Sequence, residues 1–289
     1  MFLLDPWFGL HARVGRNRWI FLLETLKDLD ASLRSLGSRL YVIRGSPEVV
    51  FPLLFQQKEL LPSHVFYELD TEPYANERDA KIEKIAKSFG VKMVGVNGHT
   101  LVKPDVILHA NKGKVPLTYT AFLKAMEKVT VPLPLEAPTT LPPPGSLKLN
   151  APNIPIHADK SRNLTMDAFD YEKRQLTYSS FGSETDFSVP TIQDLGYDAS
   201  REGSPHKGGE TVALKMLEKY FQNTKKVASF EKPLTSPCIM GDTTILSPHL
   251  KVEIFFTYRS LDLYQLDYFT KIYLKYIKKP SRIRSLQFH

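Results

Sequence analysis

Over the first ~115 residues, short apolar runs alternate with stretches whose apolar positions recur at three- and four-residue steps. Such a pattern leaves few folds open. The runs RLYVIR (39–44), HVFYEL (64–69) and VKMVGV (91–96) have strand length and are rich in β-branched or aromatic residues. Ahead of them, Trp19, Leu22, Leu23, Leu26, Leu29, Leu33 and Leu36 fall on one helical face, and Gly37 supplies a stop. Pro73 can open another helix, with Ile82, Ile85 and Ala86 on its inner face and Gly90 at its end. FLLD at 2–5 reads as a further strand. Strand–helix–strand repetition predicts an α/β fold with a doubly wound parallel sheet.

The pattern stops at a proline-rich stretch. Residues 131–155 contain eight prolines, including Pro142, Pro143 and Pro144, so neither a long helix nor a central strand fits there. A linker or surface-wrapping segment is expected, followed by polar sequence to about residue 190. Helical pattern resumes at Thr211–Tyr220, where Leu214, Leu217 and Phe221 share a side. The expected division is an α/β domain over 1–130, a linker over 131–188, the start of a helical domain over 189–251, and a basic tail over 252–289.

Charge and composition narrow the class. The net charge is +7, of which residues 251–289 carry +5, so the body is nearly neutral. No run approaches the ~18 apolar residues of a membrane span. Asp5 interrupts the opening apolar run, which argues against a secretory signal. The single cysteine, Cys238, excludes an internal disulfide and a multi-cysteine metal site, and has no recognisable histidine partner for nucleophilic work. A reducing compartment, nucleus or cytoplasm, fits.

Few residues carry chemistry by themselves. His206-Lys207-Gly208-Gly209-Glu210-Thr211 can be a backbone nest that meets an anion at a helix start, or simply a helix start with a flexible entry, and the plainer reading leads. Thr243, Thr244 and Ser247 offer three hydroxyls within five residues around Ile245 and Leu246, suited to a pyrophosphate but also to turn and cap chemistry. Glu68, Asp70, Glu72, Glu77 and Asp79 form an acidic cluster without a histidine at ligand spacing, which reads as a solvated loop. No metal ligand and no catalytic residue is assigned.

An ordered series of motifs resembles the DNA photolyase/cryptochrome family, most closely its animal (6-4) photolyase and cryptochrome branch. It begins with Asp5-Pro6-Trp7-Phe8 and Asn17-Arg18-Trp19, and continues through Leu40-Tyr41-Val42-Ile43-Arg44-Gly45, Asp70-Thr71-Glu72-Pro73-Tyr74, Glu77-Arg78-Asp79 and Pro116-Leu117-Thr118-Tyr119. It resumes at Val189-Pro190-Thr191, Gly208-Gly209-Glu210-Thr211, Phe230-Glu231-Lys232-Pro233 and Leu246-Ser247-Pro248. The resemblance implies an antenna domain followed by the start of an all-α flavin domain. It implies that Thr243, Thr244, Ile245, Leu246 and Ser247 lie in the loop holding the FAD phosphates, with Phe230 near the flavin. It puts Lys232 where the repair enzymes place a basic residue facing UV-damaged DNA. A deazaflavin or folate antenna chromophore is a further implied cofactor.

The chain also departs from that pattern. Family members have a strand and helix before the segment matching FLLDPWF, and that strand is central in their sheet. Its absence is expected to leave neighbouring strands without a partner. After Lys251 the family continues into the helical flavin domain, whereas this chain reads Val252-Glu253-Ile254-Phe255-Phe256. The sequence is therefore expected to be truncated at both ends relative to the family. The tail, residues 251–289, holds nine aromatic residues; Leu263, Leu266, Phe269, Tyr273, Tyr276 and Ile277 share a helical stripe among Lys271, Lys275, Lys278 and Lys279. The leading expectation is a (6-4) photolyase-like flavoprotein fragment whose parent activity is blue-light, FAD-dependent lesion repair, inactive as this chain. The alternatives are a non-catalytic cryptochrome-like photoreceptor or circadian module that binds clock or signalling proteins, and a free nucleotide- or antenna-chromophore-binding domain.

Overall fold

The computed structural model describes residues 1–4, 15–58, 61–98, 100, 102–130, 137–145, 187–195, 197, 203–228 and 245–251. Two compact units emerge: Met1–Asn97 with Pro138–Gly209, and Gly98–Ala137 with Glu210–His289.

The first unit holds the strand–helix alternation. Its elements are β1 (Phe2–Leu4), α1 (Arg16–Ser35), β2 (Val42–Arg44), α2 (Pro47–Phe55), β3 (His64–Glu68), α3 (Pro73–Ser88) and β4 (Lys92–Val96). Both helices that the periodicity predicts form. Pro73 occupies the first turn of α3, where its missing N–H costs nothing. Gly90, at φ +74°, ends that helix while the Val91 N–H turns back to the Ala86 carbonyl at 2.9 Å. The strands are shorter than the apolar runs: RLYVIR contributes only its last three residues to β2.

The strands pair as two parallel ribbons. Phe2, Leu3 and Leu4 face Val42, Ile43 and Arg44, while β3 runs against β4 from His64↔Lys92 to Glu68↔Val96. Among the described residues no ladder joins the two ribbons. The expected sheet is therefore split into two ribbons among the described residues. Packing keeps the ribbons in one layer. Leu3 of β1 and Val65 of β3 both lie against the cluster Phe51, Phe55, Ile82, Ala86 and Val91 supplied by α2, α3 and the residue just before β4. The neighbouring side chains Phe2 and Leu4 point the other way, into a core with Trp19, Leu23 and Leu26 of α1, as the two-residue period of a strand requires. Helices thus cover both faces of β1, while Phe66 of β3 stays exposed; the alternation of parallel strands and helices is the α/β class expected from the sequence.

Residues 141–145 of the proline-rich segment run along this unit. The Leu141 N–H donates to the Leu36 carbonyl at 2.7 Å, and the Tyr41 hydroxyl donates to the Gly145 carbonyl. Val189, Ile192 and Leu195 then pack on the α1 core, and the Phe187 carbonyl accepts the Val42 N–H at 2.9 Å.

The second unit is helical among its described residues: α4 (Pro104–Ala110), α5 (Tyr119–Met126), α6 (Glu210–Gln222), α7 (Thr224–Ala228) and α8 (Ser247–Lys251). α4 packs on α5. Ala213 and Leu217 of α6 bury with Leu246, and Leu214 and Phe221 flank them, the side predicted from spacing. The tail 252–289 and the stretch 146–186 lie outside the described residues.

Candidate functional site

The glycine turn meets an anion, but one supplied by the chain itself. The Gly208 N–H donates to one carboxylate oxygen of Glu24 at 2.8 Å, and Lys207 Nζ reaches the other at 3.1 Å. Glu24 sits on α1, 184 residues earlier. The turn lies so close to that helix that a side-chain carbon on Gly208 would stand 2.1 Å from the Phe21 carbonyl oxygen and 2.6 Å from Thr25 Oγ1. Thr25 is 3% exposed, and its hydroxyl has no hydrogen-bond partner among the described residues. The turn is therefore a docking element that leads into α6, and its amide is already satisfied.

The hydroxyl loop is described over its second half. Ile245 holds φ +55°, a left-handed conformation that a β-branched residue seldom adopts. Leu246, 6% exposed, anchors the loop in the core beside Ala213 and Leu217. That anchor leaves Ser247 exposed at the first position of α8. An exposed hydroxyl next to a backbone turned sharply by a residue in the left-handed region has the donor chemistry that a phosphate needs. Phe230, Lys232, Cys238, Thr243 and Thr244 lie outside the described residues.

The acidic cluster is engaged locally. Asp70 Oδ1 accepts the Glu72 N–H at 3.0 Å, Arg78 pairs with Asp79 at 2.7 Å, and Lys81 pairs with Glu77 at 2.8 Å. Tyr67, on β3 beside this cluster, has its phenol pKa raised above 10.0, first by burial and then by the carboxylates of Asp79 and Glu83.

Sequence reasoning missed three residues that shape these sites. Glu24 and Thr25 carry no local signal, because their partners arrive from a distant segment. His249, 2% exposed, could have been found: it follows Leu246 at a helical step of three, and Leu246 is buried.

Comparison with known proteins follows the same lines. Residues 1–143 match the DNA photolyase family. Cryptochrome-1 of Erithacus rubecula is 36% identical over 274 residues, covering 92% of this chain and 39% of that protein. Cryptochrome-1 of Mus musculus is likewise 36% identical, over 92% of this chain and 40% of its own length. The chain thus spans about two fifths of the curated relatives it matches. Among solved structures, a Synechocystis cryptochrome superposes with TM-score 0.64 at 19% identity, over 96% of this chain and 50% of that one. An archaeal photolyase from Sulfolobus tokodaii, described with two FAD molecules, superposes with TM-score 0.55 at 20% identity, over 94% of this chain and 50% of its own. These two likenesses concern the fold. No helix among the described residues is long and apolar enough to cross a membrane.

Proposed function

Because the chain belongs to the photolyase and cryptochrome family, we propose that it serves as a cryptochrome-like signalling module that binds protein partners. The observation that carries this reading is the 36% identity to Cryptochrome-1 of bird and mammal across 92% of the chain. This reading includes a nuclear and cytoplasmic location. It also includes the division into an α/β domain over 1–130, a linker over 131–188, a helical segment over 189–251 and a tail.

In this reading Thr243, Thr244, Ile245, Leu246 and Ser247 hold the phosphate end of FAD, with Phe230 near the ring; an antenna chromophore is a second cofactor of the same reading. Bound FAD would supply blue-light absorption and one-electron chemistry. The chain's own part is to bind and orient. Leu246 pins the loop to α6, Ile245 turns the backbone, and the Ser247 hydroxyl donates to a phosphate oxygen.

A second reading, (6-4) lesion repair, is favoured by the threonine-rich loop and by Lys232 as a DNA contact. One measurement tests the cofactor site that both readings share, and a second separates the readings. Calorimetric titration with FAD and with ADP should give binding that Ser247→Ala weakens about tenfold to a hundredfold, the loss of one hydrogen bond to a charged group. Equal affinity in wild type and variant would remove Ser247 from the site. Reversal of a (6-4) photoproduct by the chain under blue light would replace the signalling reading by repair.

A further inference from the structure

We propose that the loop and helix spanning residues 111–126 form a docking surface for an acidic, amphipathic segment of a partner protein. The proposal rests on the signalling reading above and gives it a place and a chemistry. Leu117 is 90% exposed, Val115 65% and Tyr119 62%, and Phe122 follows one turn along α5. A single exposed apolar residue is ordinary, whereas four within eight residues make a patch.

The backbone presenting that patch is held in place. Asn111 Nδ2 donates to the Lys114 carbonyl at 2.7 Å, and the Gly113 N–H donates to the Leu108 carbonyl at 2.7 Å. Thr118 Oγ1 accepts the Ala121 N–H at 3.2 Å, which caps α5 and fixes where Tyr119 and Phe122 emerge. A ligand meeting this surface finds it preorganised and has little ordering entropy to overcome.

Charge selects the ligand. Lys112, Lys114, Lys124 and Lys128 are all exposed here, against one carboxylate, Glu127. Lys112 and Lys114, next to Val115 and Leu117 in the loop, give the apolar centre a basic border, whereas Lys124 emerges across α5 from Phe122; that border complements a helix whose Leu or Phe anchors are flanked by Asp and Glu. Nucleic acid fits less well. Residues 98–130 contain no arginine to fork onto phosphate or base edges, and the two most exposed apolar residues, Leu117 and Val115, are aliphatic, which leaves only Tyr119 and Phe122 as rings that could stack on a base.

The test uses the full chain and two fluorescent 18-residue peptides with Leu at helical spacing, one with Glu and one with Lys on the polar face, followed by anisotropy. The Glu peptide should bind at least tenfold more tightly than the Lys peptide, and its affinity should fall as salt is raised. Leu117→Ser and Tyr119→Ser should each weaken it about tenfold. Phe66→Ser, an exposed apolar residue on β3, should leave it unchanged. Hydrogen exchange should show protection over 111–126 on binding.

Equal binding of the two peptides, no binding, or indifference to Leu117→Ser overturns the proposal. So does displacement by a single-stranded oligonucleotide that binds more tightly, or a dimer that Leu117→Ser dissolves. Failure of the peptide without lesion reversal removes this surface alone. Lesion reversal under blue light removes the signalling reading whatever the peptide does.

Discussion

Replacing Gly208 by alanine would bring a methyl carbon to 2.1 Å from the Phe21 carbonyl oxygen, where Cβ atoms are essentially never found closer than 3.0 Å. The turn or the helix must then move by about 0.9 Å. The obstacle is the backbone of α1, which cannot swing aside as a side-chain tip would. Two responses are open. The turn can stay docked and absorb overpacking of about 1–3 kcal/mol. Otherwise it lifts away and surrenders the 2.8 Å bond from its N–H to the Glu24 carboxylate, worth about 1.5–3 kcal/mol. Either way the expected loss is about 1–3 kcal/mol. The Lys207–Glu24 pair adds little, since Lys207 is 58% exposed and an ion pair there is screened. Urea unfolding followed by tryptophan emission is a suitable assay, because Trp19 is buried in the α1 core on which the turn docks. Two controls isolate the close approach. Gly203→Ala meets only Lys207 Nζ at 3.5 Å and should change stability by less than about 0.5 kcal/mol. Gly90→Ala has open space but φ +74°, so it should cost about 1–2 kcal/mol from backbone strain alone. If Gly208→Ala proves no more costly than Gly203→Ala, the docking of the glycine turn on α1 is refuted.

Other outcomes follow from the same packing. Thr25→Val should be neutral or stabilise by up to about 1 kcal/mol, because it removes a buried hydroxyl that has no partner among the described residues; a clear loss in the same urea assay would reveal an unseen hydrogen bond. Ile82, 2% exposed and central between α2, α3 and the ribbons, should cost about 2–4 kcal/mol when cut to alanine. A loss below about 1 kcal/mol would mean that this core is loosely packed. Tyr67 has a folded pKa above its ordinary 10.0, so the unfolded chain gives up that proton first as pH climbs. Its contribution is complete below pH 10.0 and is lost as pH rises through the folded value, so Tyr67→Phe should flatten the fall in stability above pH 10.0. Phenolate absorbance of the wild type should place the tyrosine titration on the same side.

The α/β class, α1, α3 and the position of each strand were legible because they depend on neighbours in sequence. A leucine stripe, a proline at a first turn and a glycine stop act within one or two turns of chain. Even so, the stripe on α1 told only part of its story. Leu29, which belongs to the stripe, is 41% exposed, whereas Phe21 and Thr25, off the stripe, are buried. Those two lie where the Gly208 turn docks. The hydroxyl loop was legible as a candidate through its composition and its resemblance to a family, but composition could not foresee that Leu246 turns inward and Ser247 outward. Burial of Leu246 depends on Ala213 and Leu217, more than 25 residues away.

By itself, then, the sequence determined α1, α3, most of α6, the strand segments and the family. Each is written in local periodicity or in ordered motifs. Tertiary structure alone decided that the strands form two ribbons bridged by α2 and α3, because pairing depends on which edges meet in space. It alone also assigned Glu24 as the anion for the glycine turn. A buried amide must find an acceptor somewhere, and the segment that supplies it is chosen by packing, whatever its distance along the chain.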